Sequence, residues 1–137
     1  MYSNILVPMA LDHGVGDSAI EVARRLLAPG GKIMVLHVFE VPAGTVGAFV
    51  DQAVMEAGFE KAKEDLHNRL EGQADVTGTV VKGHSGRTIL DVAAAEKVDC
   101  IVMGSHKPGL SDFLLGSTAA RVVRHAPCAV HVLRGEV

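Results

Sequence analysis

Tryptophan is missing from this chain, and the other aromatic residues are few: one tyrosine and four phenylalanines among 137 residues. Basic residues are scarce and unclustered, since 13 lysines and arginines stand against 16 acidic residues and leave a net charge of -3. Proteins that bind nucleic acids usually carry a basic surface with interleaved aromatic side chains. We therefore expect neither DNA nor RNA as a partner.

Long apolar runs and a secretion signal are absent as well. No stretch is long enough to span a bilayer, and the first residues lack a basic region followed by an apolar core. Of the two cysteines, Cys100 falls inside one predicted strand and Cys128 begins another, where small buried thiols are common. These features predict a cytoplasmic protein with no membrane partner and no disulfide.

Two familiar site motifs are absent, and a third is badly placed. The Walker pattern GxxxxGK[ST] does not occur, and the seven histidines lack the spacing of a zinc site, so we expect no metal site built from side chains. Residues Gly14 to Ala19 fit GxGxxA, with Glu40 at the end of the second strand, but Met9 to His13 intervene between the first strand and this motif. A dinucleotide site is the less favoured alternative, because its first glycine must follow the strand directly.

A regular alternation of strand and helix patterns fills the chain. Hydrophobic residues make up 48% of it, enough for a sizeable core, and the length suits a single domain over residues 1–137. The alternation predicts an α/β fold, a parallel sheet with helices on both faces. The predicted strands are Ile5 to Val7, Ile33 to Val38, Val76 to Val81, Cys100 to Met103 and Cys128 to Leu133.

The predicted helices have recognisable starts and stops. The first has Asp17 or Ser18 as its cap and is stopped by Gly30 and Gly31. A long helix ends near Gly72, a third covers Thr88 to Ala95, and the last begins with the capping hydroxyl of Ser117.

The segment from Gly104 to Thr118 joins the fourth strand to the last helix and is suited to phosphate. Gly116 lets the backbone approach a ligand, the Ser117 and Thr118 hydroxyls can donate to phosphate oxygens, and the amides at the helix start favour an anion. His106, inside this loop, could bond the ligand or fix the turn. The alternative is that Gly104 and Gly116 are turn glycines and Ser117 a plain helix cap.

Three apolar residues stand at strand ends where a purine could bind. Ligands of open parallel sheets bind beyond the carboxyl ends of the strands, where the strand order reverses. Pro8, Val38 and Met103 occupy such ends and could form an apolar slot, although core packing is the alternative. Arg87, at a helix start, could face the same edge, but we leave it outside the predicted site because an exposed arginine is usually just solvated.

Four segments resemble the universal stress protein family in their order along the chain: NILVPM (Asn4 to Met9), VLHV (Val35 to Val38), VDCIVMGSH (Val98 to His106) and LLGSTAARVVRHAPCAVHVLR (Leu114 to Arg134). The resemblance implies an adenine nucleotide alpha hydrolase-like fold, with an open five-stranded parallel sheet in the order 3-2-1-4-5. It also implies a homodimer that pairs through the edge strand Cys128 to Leu133. In one branch of the family it implies bound ATP, with or without Mg²⁺.

The phosphate loop departs from the pattern of that nucleotide-binding branch. Gly104, Gly116 and Ser117 match its ends, but eleven residues separate the two glycines where the family pattern has twelve. Lys107 stands in place of the middle glycine and could offer its charge to a phosphate, while Gly109 could substitute for that glycine two residues later. The resemblance therefore implies a nucleotide loop of a variant type.

The loop after the first strand departs from the family as well. Two residues after Pro8 the family commonly has an aspartate near the adenosine, and here that position is Ala10. Asp12 could take the role from a longer loop. Both residues are therefore included in the predicted adenine nucleotide site.

The interpretation is an ATP-binding universal stress protein that acts as a nucleotide-dependent regulator of the stress response. Phosphoryl transfer needs a carboxylate for the metal and a residue that positions the nucleophile, and only Asp112 in the loop is a candidate. We assign no catalytic residue and expect at most slow ATP hydrolysis. The alternatives are a nucleotide-free homodimer that acts through protein–protein interaction, and a weak ATPase.

Overall fold

The structure is a computed structural model that describes residues 1–11, 16–41, 51–105 and 115–134. Within these ranges the strands are β1 (Tyr2–Pro8), β2 (Leu27–Glu40), β3 (Val76–Gly83), β4 (Cys100–Gly104) and β5 (Ala129–Leu133). The helices are α1 (Asp17–Leu26), α2 (Gln52–Arg69), α3 (Ser85–Ala95) and α4 (Ser117–His125). None of these helices is long and apolar enough to cross a membrane.

The five strands form one parallel sheet in the order β3-β2-β1-β4-β5. This confirms the predicted fold and strand order. The chain runs outward from β1 through β2 to β3, then returns to the other side of β1 for β4 and β5. The direction of winding therefore reverses between β1 and β4, and the carboxyl ends of these two strands form the crevice where such sheets bind ligands.

Two apolar clusters cover the sheet, one on each face. Ile5 and Val7 of β1 pack with α1 and α2 on one face, while Leu6 packs with α3 and α4 on the other. All three side chains are 0% exposed, since successive side chains of a strand point to opposite faces and both faces carry helices. Complete burial of each contributes about 1.5–3 kcal/mol, so β1 is the centre of the core.

Two predicted helix caps were wrong. Gly16, rather than Asp17 or Ser18, is the N-cap of α1, and Gly116, rather than Ser117, is the N-cap of α4. Gly16 has a φ of 107° and is packed so closely on Met9 that a Cβ would overlap the methionine side chain. This position therefore requires glycine, and the usual preference for a polar cap is overridden by a tertiary contact.

The predicted stop of the first helix at Gly30 and Gly31 was also wrong. Helix α1 ends at Leu26, and β2 begins at the next residue. The helix cannot continue because Pro29 lacks an amide and restricts the residue before it. Gly30, with a φ of 79°, instead lies within an irregular part of β2, between its pairing of Leu27 with Tyr2 and of Lys32 with Asn4.

Charged side chains hold the amino edge of the sheet. Asp99 accepts hydrogen bonds from the N–H groups of Ser3 (2.8 Å) and Asn4 (2.9 Å). Burial raises the pKa of the Asp99 carboxyl, whereas the hydrogen bonds from the N–H groups of Ser3 and Asn4 lower it. The net pKa of Asp99 lies below its ordinary value. Arg24 of α1 binds Asp75 before β3 at 2.8 Å, and this hydrogen bond lowers the pKa of Asp75. The amino ends of the strands are therefore tied to their neighbours by ionic hydrogen bonds.

Candidate functional site

The predicted apolar residues meet at the carboxyl edge of three neighbouring strands. Pro8 ends β1 beside Leu36 of β2, and Val38 follows two residues further along β2. The pairing of β1 with β4 reaches Leu6 beside Ile101, and Pro8 and Met103 each follow two residues later on their strands. The structure therefore brings Pro8, Val38 and Met103 to one edge, together with Gly104 at the end of β4.

These strand-end residues differ in what they offer a ligand. Pro8 and Val38 are half-buried, whereas Met103 is 5% exposed and belongs to the core cluster beneath α3 and α4. Val38 packs against the same cluster. Pro8 and Val38 consequently present accessible apolar surface at this edge, while Met103 mainly supports it from below.

Helix α4 starts directly at the carboxyl edge, and no side chain among the described residues caps its first turn. The N–H of Gly116 donates to the carbonyl of Ser105 at 2.8 Å, and the Gly116 carbonyl accepts the first helical bond from Ala120 at 2.9 Å. Ser117 is exposed and Thr118 is half-buried. Because both belong to the first turn, their hydroxyls lie with the first-turn amides at the positive end of the helix. This arrangement of donors can hold an anion.

Ser105 holds this junction together through hydrogen bonds, and the sequence patterns do not predict this role. Its side chain is 0% exposed, its N–H donates to the Leu133 carbonyl of β5 at 2.9 Å, and its carbonyl accepts from Gly116. One residue thus joins the end of β4 to both β5 and α4. The only sequence signal is a small hydroxyl residue immediately after the strand glycine, and nothing in the local pattern distinguishes it from an ordinary loop serine.

The start of the loop after β1 is fixed by a second set of contacts. The N–H of Met9 donates to the carbonyl of Leu36 at 2.9 Å, and Nδ1 of His37 lies 3.0 Å from the carbonyl of Met9. A carbonyl only accepts, so Nδ1 carries the proton and donates. The Met9 side chain is buried against Gly16. Ala10, which is half-buried, therefore leaves β1 from an anchored position at the candidate site.

Glu40 has a different role from the one that the dinucleotide motif would require. Its Oε1 accepts hydrogen bonds from the N–H and the Oγ of Ser85, the first residue of α3. The carboxylate therefore serves as a cap for a helix whose own N-cap, His84, makes no side-chain bond. An acid that is engaged in this way is poorly placed to bind a ribose, which argues against the dinucleotide alternative.

Several predicted contacts lie outside the described residues. These are the contacts assigned to Asp12, His106, Lys107 and Gly109, and also the carboxylate of Asp112. They stay predictions. Among the residues that are described, no group of three or more histidine, cysteine, aspartate or glutamate side chains could hold a metal ion.

Both cysteines are free thiols away from this chemistry. Burial raises the pKa of Cys100 to about 11 and also raises the pKa of Cys128. A thiol is a nucleophile only as the thiolate, so neither cysteine is activated at neutral pH.

An open groove of about 680 Å³ lies between α2 and β3, away from the candidate site. It is lined by the last turns of α2 from Lys63, by the residues that follow the helix from Leu70 to Ala74, and by the first part of β3, from Val76 to Val80. None of the predicted site residues contributes to it. The convergence of strand ends with an uncapped helix start points to the carboxyl edge instead.

The fold and the site define a class of protein. A five-stranded parallel sheet that winds in both directions from β1, with helices on both faces, is an open α/β fold. The chain matches the model of the Universal stress protein family over residues 1–134, and it belongs to that family.

Relatives and solved structures agree with this assignment. The chain is 30% identical to the "Universal stress protein in QAH/OAS sulfhydrylase 3'region" of Thermus aquaticus, over 98% of this chain and 100% of the relative. It is also similar to the structure of universal stress protein UspA from Lactobacillus plantarum. That likeness has 26% identity and a TM-score of 0.78, and it covers 97% of this chain and 98% of the other.

Two further solved structures share the fold at 18% identity. One is a universal stress protein in complex with cAMP, with a TM-score of 0.63 over 97% of each chain. The other is a universal stress protein family protein from Arabidopsis thaliana with AMP bound, with a TM-score of 0.62 over 97% of this chain and 92% of that one. At this identity the likeness shows the fold alone.

Proposed function

We propose that this protein binds ATP at the carboxyl edge of its sheet and acts as a nucleotide-dependent regulator of the stress response. The observation that carries the proposal is the junction at Gly116. Its hydrogen bond to Ser105 holds the uncapped start of α4 beside the end of β4, next to the switch point. Free amides and the positive end of a helix stabilise a phosphate there.

The described residues fit an adenine nucleotide in two parts. Gly116, Ser117 and Thr118 supply donors for phosphate oxygens, and the half-buried Pro8 and Val38 supply apolar surface for the base. The remaining predicted residues complete the proposed site. Ala10 and Asp12 lie near the adenosine in this proposal. The residues proposed to lie around the base and phosphates are Met103, Gly104, His106, Lys107 and Gly109. Any Mg²⁺ would enter with the nucleotide and be held mainly by its phosphates.

The solved structures with AMP and cAMP support the ligand class. Both ligands contain adenine and phosphate, and both belong to proteins with this fold. We extend the class to this chain as a single domain over residues 1–137. Turnover is proposed to be slow or absent, because Asp112 is the single candidate carboxylate in the loop sequence and no residue is assigned to position a nucleophile.

The experiment is to purify the protein without added nucleotide, denature it and identify the released small molecules by chromatography with ultraviolet detection. We expect near-stoichiometric ATP or ADP from the natural chain and none from Gly116→Val. Gly116 has a φ of -61° and a ψ of 159°, which valine adopts without strain, so this variant adds bulk at the phosphates while the backbone is kept. An empty protein that also gives no heat with ATP and magnesium in calorimetry would reject the proposal.

A second candidate is a nucleotide-free homodimer, and the edge strand β5 favours it. Among the described residues this strand pairs with β4 on one side only, and Val123 of α4 is an exposed apolar side chain (48%). Unpaired edges are prone to pair with another chain. Sedimentation analysis of the nucleotide-free protein tests the dimer. A dimer that never binds nucleotide would favour this second function.

A further inference from the structure

Arg121 lies across the contact between α3 and α4. It stands four residues after Ser117 and therefore on the same face of α4. Its aliphatic stem covers Gly86 in the first turn of α3: a Cβ at Gly86 would lie 2.8 Å from Cδ of Arg121 and 3.4 Å from its Cβ and Cγ. The absence of a side chain at Gly86 thus makes room for the arginine stem beside the starts of both helices.

The guanidinium group of Arg121 has no ionic partner among the described residues. Arg121 is exposed, and so is Arg87, which is the neighbour of Gly86 and has no hydrogen bond or ion pair within the same ranges. Arg24 at the opposite edge is different, since it binds Asp75 and Glu21. Glu40, the carboxylate at the start of α3, is taken by Ser85. Within the described ranges, two helix N-termini and two arginines therefore lie at this edge with little negative charge to balance them.

We propose that Arg121 makes the site prefer nucleotides with more phosphate groups, so that ATP binds more tightly than AMP. This inference rests on the proposed function. The amides of α4 can bind one phosphate at the helix start. The Cα atom of Arg121 lies about 6 Å further along the helix axis than that of Ser117. Long side chains of a helix lean toward its N-terminus, which directs the guanidinium group back toward Ser117 and into reach of a second or third phosphate. A planar guanidinium binds phosphate oxygens in pairs.

The test compares Arg121→Gln with Arg124→Gln in protein stripped of nucleotide. Arg124 is an exposed arginine in the last turn of the same helix, so its variant removes the same charge far from the helix start. Calorimetry gives Kd for ATP, ADP and AMP. We expect Arg121→Gln to weaken ATP roughly tenfold or more, as the loss of a charged hydrogen bond does, and AMP less than about twofold. Arg124→Gln should change each Kd by less than about twofold.

A second variant moves the arginine without removing its charge. In Gly86→Ala the new methyl group would displace Cδ of Arg121, while alanine favours the helix. We expect a smaller loss of ATP affinity in the same direction, unchanged AMP affinity and an unchanged or higher Tm.

The outcomes separate this inference from the function on which it rests. A natural chain that binds neither nucleotide rejects the proposed ATP site itself. If the natural chain binds both, an unchanged ratio of ATP to AMP affinity in Arg121→Gln overturns the role of Arg121. An equal loss of affinity for both nucleotides in that variant is one such case, and a purely structural role would produce it.

Discussion

The two edges of the sheet are held together by different chemistry. At the amino edge, Asp99 and Arg24 are satisfied by neighbouring protein groups through ionic hydrogen bonds. At the carboxyl edge, the fixing contacts are mostly between backbone groups, such as Gly116 to Ser105 and Met9 to Leu36, and Arg121 is left without an ionic partner in the described part of the chain. The charged groups of the amino edge are thus bonded to protein, whereas the carboxyl edge keeps donors available, as the proposed ligand site requires.

The largest expected effect is that of filling the junction at the carboxyl edge. Ser105→Leu places a large side chain where the serine is 0% exposed. We expect the free energy of unfolding to fall by about 3 kcal/mol and nucleotide binding to be lost, because overpacking must shift the strand end or the helix start. Chemical denaturation and calorimetry measure the two quantities.

Ser117→Leu is the matched control for that variant, since it makes the same change at an exposed position of the first turn. Its free energy of unfolding should change by less than about 0.5 kcal/mol, while nucleotide binding weakens. Equal stability losses in the two variants would contradict the view that Ser105 is the structural residue and Ser117 the ligand-facing one.

An intermediate effect concerns acid stability at the amino edge. The pKa of Asp99 is lower in the folded chain than in the unfolded chain, so its contribution is present above the unfolded value of about 3.9 and is lost as the pH falls through the folded value. Asp99→Asn should remove about 1 kcal/mol at neutral pH, after allowance for solvent screening, and should flatten the loss of stability below pH 4.

The measurement is the free energy of unfolding between pH 7 and pH 2.5, with Asp91→Asn as the control. Asp91 is an exposed carboxylate of α3 that has no hydrogen bond within the described residues, so this variant should follow the natural chain. A curve for Asp99→Asn that stays parallel to the natural one would show that the bonds to Ser3 and Asn4 do not stabilise the fold.

The smallest effect should separate the arginines of the two edges. Arg24→Gln should lower Tm by a few degrees at most, since its partner Asp75 is exposed and surface ion pairs contribute little. Arg121→Gln should leave Tm within about one degree, because no ionic partner in the described ranges is lost. Thermal unfolding measures both. A larger drop for Arg121→Gln than for Arg24→Gln would break the contrast between the edges.

The sheet could be predicted because its signals are local. Strands such as Ile5 to Val7 and Cys100 to Met103 are short, continuous apolar runs between turn residues, and the structure confirms a strand at each of them. The order of the strands came from the family resemblance, and the structure confirms it as well. These features depend on residues that are close together in the sequence or on a pattern that spans it.

Contacts between distant residues explain what could not be predicted. The N-cap of α1 is set by the packing of Gly16 on Met9, and the start of α4 by the bond from Gly116 to Ser105. The position of Arg121 depends on Gly86, which lies on another helix. No sequence period or capping rule reports such pairs, so the residues that shape the candidate site were only partly found.

The hydrogen bond between Ser105 and Gly116 also bears on how loop length can vary in this fold. It closes a ring, so the chain leaves the strand and re-enters the helix at two points that are one hydrogen bond apart. Adding or removing one residue within a closed ring changes its closure entropy only slightly. A spacing of eleven residues between Gly104 and Gly116, one fewer than in the family pattern that the loop resembles, can therefore keep the same relation between strand and helix. We therefore expect the ring to absorb a one-residue change in length while the strand and the helix keep their places.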